Sequence, residues 1–170
     1  GRDVNQNTKI EAMNQEFKTG FEAVSIETSV FDPFLCELMY RWFCPEKGKV
    51  LDPFAGGSVR GIVAAELGLD YYGNDLSSKQ IDANIKQASS ICKNKKPTWS
   101  CNDSVLIKDI MQGHEFDMMV SCPPYADLEI YSDDARDISN MPYNDFRVNY
   151  NKIINNSCAL LKDDTFACFV

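Results

Sequence analysis

The sequence predicts an α/β protein built on a doubly wound parallel sheet, and three observations carry that expectation. Short apolar runs alternate with stretches whose apolar residues recur at helical spacing, the β-α-β order that builds parallel sheets. The run closing at Val50-Leu51 meets Gly56-Gly57 shortly afterwards, and a helical pattern follows directly. A second run, Tyr71-Tyr72-Gly73-Asn74-Asp75, ends in a carboxylate about 20 residues past those glycines. A Rossmann-type unit places there the acid that accepts ribose hydroxyls.

In chain order, residues 9–18 are polar with weak periodicity and read as a lead-in, and 21–26 as a short strand. We therefore divide the chain into a lead-in, 1–27, and one domain, 28–170. Leu35, Leu38, Met39, Trp42 and Phe43 repeat as one helical face, which Pro45 and Gly48 close. After Val50-Leu51, Pro53 stops the strand because it has no N–H to donate. Gly56 and Gly57 suit positive φ and close approach of a ligand to bare backbone. Val59, Ile62, Val63 and Leu67 then mark a helix with Ser58 as its N-cap. A helix start facing a glycine turn favours an anionic group.

Past Asp75 the pattern predicts a helix over 77–92, a strand at Thr98–Cys101 and a strand at Phe116–Ser121. The latter stops at Cys122-Pro123-Pro124-Tyr125. The acid-rich stretch 126–140, with Asp127, Glu129, Asp133, Asp134 and Asp137, reads as a solvated, mobile lid. Phe146, Tyr150, Ile153, Ile154 and Leu161 mark a last helix, and 165–170 a last strand. Right-handed crossovers then order the strands 3-2-1-4-5. The switch point falls between strands one and four, and ligands bind beyond the carboxyl ends there. The glycine turn and the Pro-Pro-Tyr turn should therefore face each other.

Composition narrows the function classes. A length of 170 residues with 44% hydrophobic residues suits one core-forming domain. No run approaches the roughly 20 apolar residues of a membrane span, so no membrane partner is expected. Seven scattered cysteines without a Cys-x-x-Cys pair argue for a reduced, cytoplasmic protein without zinc or a disulfide framework. His114 has no ligand partners nearby in sequence and reads as a loop residue; no metal is expected. The formal net charge of −8 opposes nucleic-acid binding unless a basic surface comes from elsewhere. Lys93-Asn94-Lys95-Lys96 leads from a helix into a parallel strand, at the sheet edge away from the ligand, and reads as a solvated turn.

Three motifs together resemble the S-adenosylmethionine (SAM)-dependent amino-methyltransferases of DNA, phage and bacterial members of the adenine-N6 and cytosine-N4 class. Asp52-Pro53-Phe54-Ala55-Gly56-Gly57-Ser58 is similar to their cofactor motif Asp-Pro-Phe-x-Gly-x-Gly. Cys122-Pro123-Pro124-Tyr125 is similar to their catalytic Asp/Asn/Ser-Pro-Pro-Tyr/Phe, and Asn102-Asp103-Ser104 to their Gly-Asp-Ser after strand three. The resemblance runs from about residue 28 to the end. It implies SAM as cofactor and DNA as substrate, with base flipping. Asp52 would hold the methionine ammonium, with the turn's N–H groups on its carboxylate. Asp75 would take the ribose hydroxyls, and Asp103 the cofactor's adenine amine. Ser29 and Phe31 would touch the methionine end, and Phe54 would line the pocket. The side chain of Cys122 and the carbonyl of Pro123 would accept the amine's N–H bonds, Pro124 would shape the turn, and Tyr125 would stack on the base.

Two residues depart from the family pattern. Ser58 replaces the last glycine of the cofactor motif. Cys122 replaces a polar acceptor, and a thiol is a weak one, so backbone carbonyls should carry more of the contact. The 104–122 interval leaves no room for an inserted target-recognition domain, and the apolar run 166–170 would leave a sheet edge exposed. A partial domain missing its last strands is expected, with the DNA-reading basic part outside this chain. The competing readings are RNA or protein-glutamine methylation and C5-pyrimidine chemistry with Cys122 as covalent nucleophile. A nicotinamide dehydrogenase and a non-catalytic, degenerate module compete as well. If Cys122 acts through its backbone, Cys122→Ser keeps or raises methyl transfer. Loss of all turnover with intact cofactor binding would contradict this and favour the covalent route.

Overall fold

The computed structural model describes residues 30–126 and 131–170. The lead-in, the strand expected at 21–26, Ser29, Asp127 and Glu129 lie outside the described residues. Helix α1 (Pro33–Phe43) starts where Asp32 caps it, its Oδ1 accepting the N–H of Phe34 at 2.8 Å and of Leu35 at 3.1 Å. Pro33 sits in the first turn, where no N–H is needed. Then follow β1 (Lys49–Asp52), α2 (Val59–Glu66), β2 (Asp70–Asp75), α3 (Ser78–Ile91) and β3 (Thr98–Cys101). A 3-10 turn (Ser104–Leu106) leads into the short α4 (Ile107–Ile110) and β4 (Phe116–Ser121). A second 3-10 turn (Ile138–Asn140) precedes α5 (Tyr143–Cys158) and β5 (Leu161–Phe169).

The five strands form one parallel sheet in the order β3-β2-β1-β4-β5, as the crossover rule predicts. Its centre is buried on both faces. Val50, Met118 and Val120 pack with Cys36, Met39 and Tyr40 of α1, Ala64 of α2 and Tyr71 of β2. Leu51 and Phe116 pack on the other face with Ile107 and Met111. Continuous apolar runs rather than alternation are the pattern of parallel strands covered on both sides. All seven cysteines are free, with Cys36 and Cys92 buried. Among the described residues no helix is long and apolar enough to cross a membrane.

Four local expectations change. The last helix ends at Cys158, and Leu161 belongs to β5, paired with Phe116. Asp164, at φ +56°, and the bond from Thr165 Oγ1 to the Lys162 carbonyl form a bulge within β5. That bulge disguises the strand's start in the sequence. Ser58 does not cap α2: its backbone is already helical, and its hydroxyl bonds Gln87 of α3 instead. Of the two turn glycines only Gly56 has positive φ, at +48°. The acidic segment after β4 is solvated in part over 131–140, with Asp133 exposed, but it is also cross-tied. Asp137 accepts from Ser139 N (3.0 Å), Ser139 Oγ (2.7 Å) and Ser132 Oγ (2.8 Å), and Asn140 Nδ2 ties back to the Ser132 carbonyl at 2.7 Å. Ile138 and Ser139 are buried. Asp134 and Asp137 thus bond within the segment, while Asp133 is exposed to water.

Gly73 sits between Asp52 on β1 and Trp99 on β3, where the rings of Tyr71 and Trp99 close over it. A methyl group there would lie 2.7 Å from Tyr71 Cε1, 2.8 Å from Trp99 Cδ1 and 2.9 Å from Ala55 Cβ. Gly73→Ala should therefore destabilise by about 1–3 kcal/mol, the usual cost of overpacking, read as a lower urea midpoint.

Candidate active site

The turn after β1 is held from four sides, and the anchor is Asp52. Its carboxylate is fully buried. Oδ2 accepts from Arg60 Nε at 2.6 Å and Tyr71 OH at 2.8 Å. Oδ1 accepts from Ser121 Oγ at 2.8 Å and Phe54 N at 3.2 Å. These four bonds use the roughly four acceptor sites a carboxylate has. In this structure the Asp52 carboxylate is buried and its bonds hold the turn; the ammonium contact expected of it is not tested by them.

Arg60, itself 4% exposed, is the partner that makes this burial tolerable. Its Nη2 donates to the carbonyls of Phe54 (2.7 Å) and Ala55 (3.0 Å), and the ring of Phe31 lies 4.8 Å from its Cζ. Burial pulls the guanidinium's pKa down most strongly, but the charge and hydrogen bond of Asp52, together with Tyr71 and Tyr40, hold the group above its ordinary value. Tyr71 is raised well above the tyrosine range, first by burial and then by Asp52, so it remains a neutral donor. Tyr40, raised chiefly by burial, donates to the Arg60 carbonyl at 3.0 Å.

The remaining turn carbonyls are fastened by other elements. Ser104 bonds the carbonyl of Pro53, and Asn84 Nδ2 that of Gly56 at 2.8 Å. Asn74, fully buried, presents its carbonyl to Ala55 N at 3.0 Å and its Nδ2 to Ser104 Oγ at 2.7 Å. With its carbonyls turned to these donors, the turn leads into α2, whose first N–H groups have no partner in the helix.

Asp75 stands at the carboxyl end of β2, half-buried. Oδ2 accepts Gly56 N and Oδ1 accepts Ser77 N, both at 2.8 Å, which leaves about two acceptor sites. Burial raises its pKa most; the two amides lower it, and the charges of Asp52 and Asp137 raise it further. Asp103, at the end of β3, caps the 3-10 turn through Val105 N at 2.9 Å and keeps its second oxygen. Phe54 is half-buried and stacks on Tyr150, with centroids 6.4 Å apart and planes 18° apart. Phe146 and Tyr143 continue that row outward along α5.

The second turn follows β4. Ser121 is fully buried, Cys122 and Pro124 are half-buried, Pro123 is buried, and Tyr125 is 54% exposed. The bond from Ser121 to Asp52 ties the base of this turn to the base of the glycine turn, so the two motifs meet at the β1–β4 switch point as expected. Reading the sequence missed Arg60, Ser121, Asn74 and Asn84. Arg60 alone left a signal there, a charge amid the apolar pattern of α2. Among the described residues no three His, Cys, Asp or Glu side chains are grouped to hold a metal ion.

No protein-family model matches the chain, and no curated protein does. Solved structures do. TrmN from Thermus thermophilus is similar over 78% of this chain and 36% of its own, with 19% identity and a TM-score of 0.57. An rRNA methylase from Streptococcus thermophilus matches at 12% identity over 84% of this chain and 73% of its own, TM-score 0.57. Magnesium protoporphyrin IX methyltransferase from Synechocystis, solved with bound SAM, matches at 13% over 95% and 74%, TM-score 0.52. At these identities the likeness establishes the fold, a Rossmann-like methyltransferase sheet. The chain spans little more than a third of TrmN.

The charge pair yields a direct test. Arg60→Met strands a buried carboxylate and should cost about 3–5 kcal/mol in urea unfolding. Adding Asp52→Asn removes the stranded charge and should restore a good part of that loss.

Proposed function

We propose that this chain binds S-adenosylmethionine and transfers its methyl group to the exocyclic amine of adenine (N6) or cytosine (N4) in DNA. The Ser121–Asp52 hydrogen bond of 2.8 Å carries this reading, because it couples the Cys122-Pro123-Pro124-Tyr125 turn to the glycine turn. The methyltransferase fold supports the cofactor, and so does a neighbour solved with bound SAM. The donor set fits it as well. Asp75 offers its remaining acceptor sites to ribose hydroxyls, Asp103 its second oxygen to the adenine amine, and the start of α2 its N–H groups to the carboxylate. Phe54 walls the pocket. Phe31 and Ser29 are assigned to the methionine end, Phe31 through its packing on Arg60. Asp52 and Arg60 are positioning residues.

When bound, the cofactor supplies an electrophilic sulfonium methyl. The chain's own task is alignment, since a base amine has its lone pair delocalised into the ring. The carbonyls of Cys122 and Pro123 accept the amine's N–H bonds and favour its pyramidal form. The thiol of Cys122 adds little as an acceptor. Tyr125 stacks on an extruded base, a contact worth ~1–3 kcal/mol. No covalent intermediate is required, and electrostatic alignment carries the rate. An RNA amine is the second reading, favoured by a fold neighbour described as an rRNA methylase.

Calorimetric titration with SAM and, separately, with NAD tests the cofactor. SAM alone should bind, and Asp75→Ala should weaken it about tenfold through lost hydrogen bonds. The ribose needs the ionised acid, so affinity should fall as pH drops through the Asp75 pKa, which burial sets above the usual aspartate value. Binding of NAD instead would overturn the assignment. Methyl transfer to adenine- and cytosine-containing DNA, against matched RNA, then decides the substrate.

A further inference from the structure

The outer face of α3 carries a row of lysines that nothing in the site uses. Residues 77–97 hold Lys79, Lys86, Lys93, Lys95 and Lys96 against Asp82 alone, a net +4 inside a chain of net −8. Lys79, Lys86 and Lys93 are spaced by seven residues. Seven residues is nearly two helical turns, so Lys79 and Lys86 lie on one line of α3 about 10 Å apart, and Lys93 follows just past the helix, which ends at Ile91. All three are exposed, as is Lys96, and none makes an ion pair among the described residues. Lys95 differs, being held by Asp70 at 2.8 Å. The acids near this face are Asp82 on α3 itself and Glu66 at the end of α2, beside Cys92.

The inner face of the same helix is bolted to the site. Ser77 caps it next to Asp75, Asn84 holds the Gly56 carbonyl at 2.8 Å, and Gln87 holds the Ser58 hydroxyl. The lysine row therefore begins at the cofactor edge of the sheet and keeps a rigid relation to it. The loop lysines alone, at the far edge, point to no ligand. It is their continuation up the helix that changes the reading.

We infer that Lys79 and Lys86 on α3, with Lys93 in the turn just beyond its end, form a phosphate-backbone contact surface, which seats the nucleic acid whose base enters the site. The inference rests on the nucleic-acid reading above. Charge complementarity argues for this occupant: the rest of the chain is strongly acidic and repels a polyanion, so this face orients its approach.

The test is fluorescence anisotropy of the 170-residue chain with a labelled single-stranded oligonucleotide and with its duplex, titrated over salt. The triple variant Lys79→Gln, Lys86→Gln, Lys93→Gln should lower the slope of log affinity against log salt by roughly 2–3, and weaken binding about tenfold at low salt. SAM affinity should stay unchanged, because the three side chains are exposed and none is assigned to the cofactor. A control, Arg147→Gln with Lys152→Gln on exposed α5, should bind as the native chain does. Unchanged slope and affinity in the triple variant would overturn the surface while leaving the methyltransferase reading in place. A native chain that methylates a free nucleoside or a protein amine, yet binds neither oligonucleotide at low salt, would overturn both the surface and the nucleic-acid substrate.

Discussion

The buried pair of Asp52 and Arg60 is the constraint on which the site depends. Removing two charges from water costs several kcal/mol per ion, and their attraction offsets this only when the remaining hydrogen-bonding capacity is met. Here it is met: Tyr71, Ser121 and Phe54 N complete the carboxylate, and the Phe54 and Ala55 carbonyls take up the guanidinium fork. Such a pair adds little net stability over an apolar replacement. What it supplies is direction, because it ties β1, α2, β2 and β4 to one point and turns the peptide groups of the glycine turn inward.

That point coincides with the topological switch of the sheet. β1 is flanked by β2 and β4, and the crossovers after β1 and β4 leave in opposite directions, which opens a crevice at the carboxyl ends. Both sequence motifs open there, and Ser121 binds their bases together. The acid on β2 is drawn in as well, since Asp75 takes the Gly56 amide and still presents unused acceptor sites. The compact segment over 131–140 adds charge to this rim: Asp137 contributes to the raised Asp75. Arg136, held first by Asp134, also feels Asp103.

The site's two faces differ in character. Toward α5 it is aromatic, with Phe54, Tyr150, Phe146 and Tyr143 in a row of ring contacts. Toward α3 it is polar, with Asn84, Gln87 and Ser58 bonded among themselves and to the turn.

Much of this was legible in the chain alone. The strand order, the glycine turn, the Asp75 position and the meeting of the two motifs follow from periodicity, from what glycine and proline do locally, and from the handedness of crossovers. Those rules act within a few residues or apply to every parallel sheet. The boundary errors came where a bulge or a competing partner intervened, at Leu161 and at Ser58. The role of Asp52 belonged to neither class. That its carboxylate is buried and bonded inside depends on Tyr71 and Ser121, residues 19 and 69 positions away, and on the burial that brings them together. The sequence by itself determined the architecture and the place of the site. Only the tertiary structure decided which charges are buried and which are presented at the crevice, because the cost of burying a charge is set by neighbours that folding alone assembles.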